Sequence, residues 1–140
     1  MARVRGDADR LYLFIRHVGR RLQGVDAANG ISPARFSALV SLYFHGVNNM
    51  GELAAHEHVS RPAMTRLVRA MEDAGLTRRN KDTTDGRGVR VEITKKGRDL
   101  VDRVRREKIE LISRHLVDLD RKTAQAVRAA LDALEPLQRF

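Results

Sequence analysis

Arginine and threonine side chains recur on one side of a short helical pattern, and their chemistry suits contact with nucleic acid. The pattern runs from Ser60, a residue type that caps helix N-termini, to Gly75, which suits the left-handed position past a helix end. One side of it is apolar, with Met64, Leu67, Val68 and Met71 at helical spacing. The opposite side holds Arg61, Thr65, Arg66 and Arg69. Guanidinium and hydroxyl groups placed in this way can reach base edges and phosphates from the DNA major groove.

A shorter helical pattern precedes this one, and a strand–turn–strand pattern follows it. The shorter helix would carry Leu53 and Ala54 inward and ends at a break before Ser60. After Gly75 the period changes, and residues 76–80 form a strand candidate. A second strand candidate alternates apolar and charged residues: Val89, Arg90, Val91, Glu92 and Ile93. The turn-forming residues KDTTDGRG between the strands predict a β-hairpin with an exposed, positively charged tip.

The net charge is concentrated around these central elements. The chain has 27 Lys and Arg against 18 Asp and Glu, a formal net charge of +9. Residues 60–98 hold eleven basic and five acidic residues, and residues 1–21 hold six and two. An ordinary solvated surface would spread the excess evenly. The distribution therefore indicates a polyanionic partner, nucleic acid, for the central segment.

Length and composition restrict the other classes of protein. A chain of 140 residues fits a single domain with its own core, and the absence of cysteine excludes disulfides and thiolate catalysis. The N-terminus lacks the apolar stretch of a signal peptide, and no run approaches the roughly 20 apolar residues of a membrane span. We therefore expect a soluble, cytoplasmic protein with no membrane partner.

No arrangement of residues indicates catalysis, a cofactor or a metal site. The sequence contains no recognisable Ser/His/Asp arrangement, paired-carboxylate motif or phosphate-binding glycine loop. We therefore expect no enzymatic activity. His56 and His58 are one residue apart, whereas His17, His45 and His115 are scattered. This spacing does not match a tetrahedral site, and we expect structural or exposed histidines.

Helical patterns flank the central segment on both sides. Apolar spacing predicts one helix over about residues 7–28, and Ser32-Pro33 is typical of the start of another. Downstream, Thr94 is a candidate N-cap for a helix over about residues 95–117. A last near-heptad pattern consists of Ala124, Val127, Leu131, Leu134 and Leu137. These apolar faces could pack within one chain, but a single recognition helix covers few base pairs, so we expect them to pair two chains.

The order of these elements, with two local motifs, resembles the MarR family of bacterial winged helix–turn–helix regulators over essentially the whole chain. VSRPAMTRLVRAMEDAGLTRR is similar to the family's recognition helix and the start of its wing, and DGRGVRVEITKKG is similar to the wing and the start of the fifth helix. The resemblance implies a mainly α fold with a small β-hairpin wing (α+β) in one domain, residues 1–140. A winged helix–turn–helix lobe would occupy about residues 31–97, between dimerisation helices at about 7–28 and 98–140.

The resemblance also implies which residues meet DNA. The recognition-helix positions that face the major groove match Ser60, Arg61, Pro62, Thr65 and Arg66. Arg87 matches the wing-tip arginine that enters the minor groove, and Asp85 matches the acid that holds it. Gly86 stands where the family commonly has a second arginine, so we expect a smaller wing contribution to affinity. Arg69 is expected at a phosphate, and Arg79 and Arg90 either at the DNA backbone or in solvent.

Members of the family often bind small anionic aromatic molecules between the DNA-binding lobe and the dimerisation helices. The helices that would border such a cleft carry Tyr12, Arg16, His17, Phe36, Tyr43 and His45. Aromatic residues at helical spacing also suit a plain core, so the two interpretations stay open side by side.

The sequence therefore predicts a homodimeric transcriptional regulator that binds double-stranded DNA. We expect a repressor that reads a short inverted repeat, with a small aromatic or anionic effector as a candidate for its release. The alternative is a non-specific DNA-architectural protein of the nucleoid type. The polar and varied pair Thr65 and Arg66 argues against this alternative, since such a protein needs only uniform positive charge.

Overall fold

A computed structural model describes residues 1–81 and 89–136. In chain order, the described residues form α1 (Ala2–Ala28), α2 (Pro33–Phe44), α3 (Met50–His56), α4 (Arg61–Asp73), β1 (Thr77–Lys81), β2 (Val89–Ile93), α5 (Lys95–Leu116) and α6 (Arg121–Leu134). The predicted fold class, mainly α with a small β-hairpin, is confirmed. The chain divides into two compact units, Met1–Arg106 and Glu107–Phe140.

Side chains at the helix ends explain where α2, α3 and α4 begin. Ser32 Oγ accepts a hydrogen bond from Arg35 N at 3.4 Å, and Ser60 Oγ accepts one from Ala63 N at 3.3 Å. Asn49 Oδ1 caps α3 by accepting the amide hydrogens of its first turn. These bonds satisfy backbone donors that a helix leaves unpaired. The predicted N-caps Ser32 and Ser60 are therefore confirmed.

The core of the first unit is formed by the inner faces of α2, α3 and α4, the sheet and the start of α5. Leu53 and Ala54 are buried in it, as the sequence predicts. The buried apolar side chains are Ile31, Phe36, Ala38, Leu39, Leu42, Leu53, Ala54, Met64, Val68, Met71, Leu76, Val91, Ile93, Leu100, Val101 and Val104. Burial of this apolar surface fixes α4 against the rest of the unit and leaves its other side exposed.

The two strands pair antiparallel, with Thr77 opposite Ile93 and Lys81 opposite Val89. The loop before α3 joins this sheet, because Val91 N donates a hydrogen bond to Asn48 O at 2.8 Å and Asn49 forms a bridge with Arg90. The hairpin is therefore attached directly to the start of α3. The predicted alternation is correct for the inner half of β2, but Val89 is 42% exposed because it lies at the far end of the ladder.

Two predicted boundaries differ from the structure by a few residues. The first helix begins at Ala2 rather than near residue 7, and β1 runs from Thr77 to Lys81 rather than over residues 76–80. The residues before Asp7 carry no apolar period, but alanine and arginine are good helix formers and extend the helix. Leu76 is buried and stands just before the strand rather than within it.

The second unit consists of the end of α5 and α6. Asp120 caps α6, because its Oδ1 accepts the amide hydrogens of Lys122 and Thr123 at 2.9 and 3.0 Å. No residue of α6 is buried, and Leu131 is 61% exposed. In a single chain, this unit therefore leaves its apolar pattern in contact with water.

We expect the start of α6 to loosen in acid through the titration of Asp120. Hydrogen bonds from the Thr123 hydroxyl, and from the backbone amides of Thr123 and Lys122, lower the pKa of the Asp120 carboxyl. The pKa of Asp120 is therefore lower in the folded protein than in the unfolded chain, where it is about 3.9. The ionised carboxylate stabilises the start of α6 fully above the unfolded pKa, and this stabilisation is lost as the pH falls through the folded pKa. Amide chemical shifts of Lys122 and Thr123 should report this transition. Asp120→Asn keeps the acceptor oxygen and should abolish the transition, so an unchanged titration in this variant would contradict the assignment.

Candidate nucleic-acid interface

The outer side of α4 presents the predicted polar residues to the surface. The exposed residues of this side are Arg61, Pro62, Thr65, Arg66 and Arg69. Met64, Val68 and Met71 on the other side have no exposed surface at all. Successive residues turn by about 100° around a helix, which separates these two sets onto opposite sides. The helix is therefore held by one face and offers a complete polar face to a partner.

Hydrogen bonds within α4 fix two of the polar side chains. Thr65 Oγ1 donates to Arg61 O at 2.9 Å, so its hydroxyl direction is set while the oxygen can still accept and the methyl group can make an apolar contact. The Ser60 oxygen accepts the N-cap bond, which leaves its O–H able to donate to a phosphate oxygen. Both residues thus have a structural part in the helix as well as the capacity for DNA contact.

Arg66 and Arg69 carry positive charges that no acidic side chain among residues 1–81 and 89–136 neutralises. Both are exposed, and neither forms an ion pair with any residue in the described part of the chain. Guanidinium groups in this state can form bidentate hydrogen bonds with phosphate oxygens or a guanine edge.

The arginines of β1 are paired with acids of the same chain. Arg79 Nε lies 2.6 Å from Glu72 Oε2, which joins β1 to the last turns of α4. Arg78 Nε donates to Glu92 Oε2 at 2.8 Å across the hairpin, and this bond holds the pKa of the Glu92 carboxyl below its usual value. Arg90 is exposed on β2 and forms the bridge with Asn49. Arg79, which was predicted to lie at the DNA backbone or in solvent, therefore forms an ion pair with Glu72 of the same chain.

The wing-tip residues Asp85, Gly86 and Arg87 lie outside the described residues. Their assigned roles, minor-groove insertion by the arginine and its support by the aspartate, stay predictions.

A notch of about 430 Å³ lies between the start of α3, the first turns of α4 and the strands. Arg61 and Thr65 line it from α4, and Gly51 lines it from α3. A Cβ atom placed on Gly51 would lie 2.8 Å from Arg61 Nη2, so the guanidinium group rests directly over this glycine. The sequence patterns contain no sign of this contact, because it joins two helices across a turn.

Behind α4, the first turn of α5 is packed against the backbone that follows the helix. Thr94 Oγ1 donates to Gly75 O at 2.7 Å and accepts from Gly97 N at 3.1 Å, and Lys96 Nζ donates to Ala74 O at 2.7 Å. Gly75 has φ +71°, the left-handed conformation predicted for it. The predicted N-cap Thr94 is confirmed, and it also anchors the end of α4.

A partly buried polar cluster joins α2 to the end of α3. Ser41 is 2% exposed, and its hydroxyl donates to the Glu57 carboxylate. His56 Nδ1 lies 3.1 Å from Ser41 Oγ, and the ring of His45 lies 5.2 Å from that of His56. This geometry agrees with a structural role for His56. Over residues 1–81 and 89–136, no group of three or more His, Cys, Asp or Glu side chains is arranged to hold a metal ion.

The six residues predicted for an effector lie in different environments. Phe36 is buried in the core, and Tyr43 is half-buried with its hydroxyl 3.5 Å from Asp102 Oδ2. The remaining residues, Tyr12, Arg16, His17 and His45, are exposed. None of the six lines the notch at α3. They are also absent from the walls of two further cavities, one beside the sheet and one at the end of α1. The effector role of these six stays a prediction.

Among the helices of the described ranges, none combines the length and the apolar character required to cross a membrane.

Comparison with known proteins connects this geometry to one family. A family model described as "MarR family" matches residues 31–89. The chain is 32% identical over 127 residues to an HTH-type transcriptional regulator of Mycobacterium bovis, covering 91% of this chain and 89% of the relative. A MarR family protein of Bacillus stearothermophilus superposes with a TM-score of 0.85 at 22% identity, covering 100% of this chain and 99% of that one. A mutant of MepR from Staphylococcus aureus bound to an oligodeoxyribonucleotide superposes with a TM-score of 0.72 at 19% identity, covering 94% and 98%.

The relative and the solved structures match over nearly the whole chain, and the segment matched by the family model contains the exposed face of α4. The chain belongs to the MarR family and is a DNA-binding transcriptional regulator, not an enzyme.

Proposed function

We propose that the protein is a homodimeric repressor that binds a short inverted repeat in double-stranded DNA and acts in the bacterial cytoplasm. The observation that carries this proposal is the outer face of α4. This face is exposed and chemically varied, and it lies opposite a face on which Met64, Val68 and Met71 are fully buried. A rigid helix of this kind can enter the major groove without rearrangement of the core.

The chemistry of the face supports base reading in addition to phosphate contact. Arg66 can donate two hydrogen bonds to the O6 and N7 atoms of guanine, and the Thr65 methyl can contact the methyl of thymine. Arg69 lies almost one turn further along α4, where we assign it to a phosphate. A purely architectural protein would need only the positive charge, so the Thr65–Arg66 pair favours sequence-specific binding.

The terminal helices support the proposed dimer. In a single chain they expose large apolar side chains: Tyr12, Phe14, Ile15, Ile112, Leu116 and Leu131. Exposed apolar surface of this extent usually marks an interaction site. A second copy of the chain would cover it and would bring two recognition helices to half-sites about 34–36 Å apart. This pairing explains why we expect an inverted repeat.

The wing and an effector complete the proposal. Arg87, supported by Asp85, would enter the minor groove beside each half-site, and Arg90 would lie near the DNA backbone. A small anionic aromatic molecule bound near Arg16, His17 and Tyr43 would release the protein from DNA.

Replacement of Arg66 tests sequence reading. We expect Arg66→Ala to weaken binding to the preferred duplex by about 5- to 150-fold for each half-site, since each protomer of the dimer loses one bidentate base contact, and to weaken binding to a scrambled duplex far less. The preferred duplex would be selected with the wild-type protein from a random-sequence library. Fluorescence anisotropy at physiological salt would then give both affinities. Arg105→Ala, which removes one exposed positive charge from α5, is the matched control.

The same measurement separates the proposal from its alternative. Wild-type protein that binds the selected and scrambled duplexes equally would be a non-specific architectural protein. In that case, Arg66→Ala would lower both affinities by the same factor.

A further inference from the structure

We infer that Arg61 is a phosphate-binding residue seated in the notch over Gly51, and that it does not read bases. Its ligand is a phosphodiester group of the DNA backbone at the edge of the major groove. The inference rests on the proposed DNA-binding function and assigns one residue of the same surface a distinct role.

Glycine at position 51 makes this seat possible. A Cβ atom there would lie 2.8 Å from Arg61 Nη2, 3.3 Å from Arg61 Cζ and 3.3 Å from Asn49 Oδ1. Separations under about 3.0 Å fall below van der Waals contact and require one group to move. The guanidinium group of Arg61 therefore occupies the space that any other residue at position 51 would fill. Its position is set by α3 as well as by its own helix.

Arg61 supplies a charge in the notch that no acidic side chain among the described residues neutralises. Arg79 also lines the notch, but its Nε is paired with Glu72 at 2.6 Å. Glu52, the acid in the first turn of α3, is not paired with Arg61. An arginine without an acidic partner, held at a concave surface, is suited to bind a phosphate through two N–H donors.

Two other polar groups of the notch form hydrogen bonds within the protein. The Asn49 side-chain oxygen accepts the amide hydrogens of Gly51 and Glu52, at 2.8 and 3.3 Å. The Thr65 hydroxyl donates to Arg61 O. The guanidinium group of Arg61 is therefore a charged donor available to an anion that enters from the DNA side.

The position of Arg61 around α4 separates it from the base-reading residue. Arg61 and Arg66 are five residues apart, which places them about 140° apart around the helix axis. Arg61 lies on the edge that faces α3 and the strands, because it shares the notch with them. A helix of about 10–12 Å diameter fills a major groove about 12 Å wide, so a side chain held back at its edge meets the groove wall, where the phosphates lie.

The salt dependence of DNA binding tests this assignment. Each phosphate contact contributes about 0.9 to the slope of log K against log salt concentration. We expect Arg61→Ala to reduce this slope by about one for each bound protomer, and so by about two for a dimer, on both the selected and the scrambled duplex, and to leave the ratio of the two affinities unchanged. Arg66→Ala should change the ratio, and Arg105→Ala should change neither quantity.

Gly51→Ala is a second test variant, in which residue 61 is still arginine. Alanine is a better helix former than glycine, so α3 should remain folded while the new methyl group displaces the guanidinium group. We expect weaker binding to both duplexes and a smaller slope, with an unchanged circular dichroism spectrum. DNA binding identical to the wild type in Gly51→Ala would contradict the seat over Gly51.

Measurements on the wild type and on Arg61→Ala can give three distinct outcomes. A reduced slope with an unchanged affinity ratio supports the phosphate contact. A changed ratio with an unchanged slope would overturn it and make Arg61 a base reader. Equal wild-type binding to both duplexes would refute the proposed sequence-specific function, but the slope on scrambled DNA would still decide whether Arg61 contacts a phosphate.

Discussion

Replacement of Gly97 by alanine is expected to destabilise the first unit by about 3 kcal/mol and to weaken DNA binding with it. A Cβ atom on Gly97 would lie 2.3 Å from Leu76 O and 2.7 Å from Ile93 Cγ1. The carbonyl oxygen cannot move aside easily, because it accepts the amide hydrogen of Thr94 at 3.0 Å. The substitution must therefore displace the start of α5 from the backbone that follows α4. The higher helix propensity of alanine offsets only about 1 kcal/mol of this cost.

A matched glycine in α1 provides the control for Gly97. Gly24 also lies within a helix, but a Cβ atom on it would have no atom within 4 Å. Gly24→Ala should therefore stabilise the protein by about 0.5–1 kcal/mol, whereas Gly97→Ala should lower Tm by roughly 10–14 °C. Thermal unfolding followed by circular dichroism measures both. Equal Tm shifts in the two variants would mean that a Cβ atom at position 97 close to Leu76 O does not destabilise the fold.

The features that could be predicted from the sequence are those set by neighbouring residues. Ser32 and Ser60 cap helices through amide groups three residues away, and Gly75 adopts a backbone conformation that glycine tolerates best. The apolar period of α4 likewise determined its buried and exposed faces. Each of these signals is complete within a few consecutive residues, so no knowledge of the fold is required.

The contacts that hold α4 in place could not be predicted in this way. The docking of Gly97 against Leu76 and the seat of Arg61 over Gly51 both depend on where two helices pack. The bridge between Asn49 and Arg90 joins residues far apart in sequence. A glycine within a helix lowers its stability, but at Gly97 the Leu76 carbonyl oxygen and at Gly51 the Arg61 guanidinium group occupy the space that a Cβ atom would fill.

The candidate site shows the same division. The exposed positions of α4 could be predicted from helical spacing, but the pairing of Arg79 with Glu72 depends on the register between β1 and α4. Phe36 was assigned both to a core and to an effector cleft, because apolar spacing fits either role. The structure places it in the core, since its neighbours on α2 are buried with it.

The proposed dimer leads to the second prediction with a large effect, at Leu116. This side chain is 42% exposed at the end of α5, beside the equally exposed Ile112. A carboxylate at position 116 would have to be desolvated in an apolar interface, which is strongly unfavourable. We expect Leu116→Asp to give a monomer in size-exclusion chromatography with light scattering, and to weaken binding to the selected duplex by about 100-fold or more, because the second recognition helix no longer binds in the same step.

The control for this prediction is at the same position. Leu116→Met preserves the volume and apolar character of the side chain, so it should keep both the dimer and its affinity for DNA. Leu116 is not part of the buried core, so neither variant should unfold the first unit, and circular dichroism should be unchanged. If Leu116→Asp remained dimeric and bound DNA as the wild type does, this part of α5 would lie outside the interface. If it became monomeric but kept full affinity, the requirement for two recognition helices would be wrong, and a single α4 with its wing would account for binding.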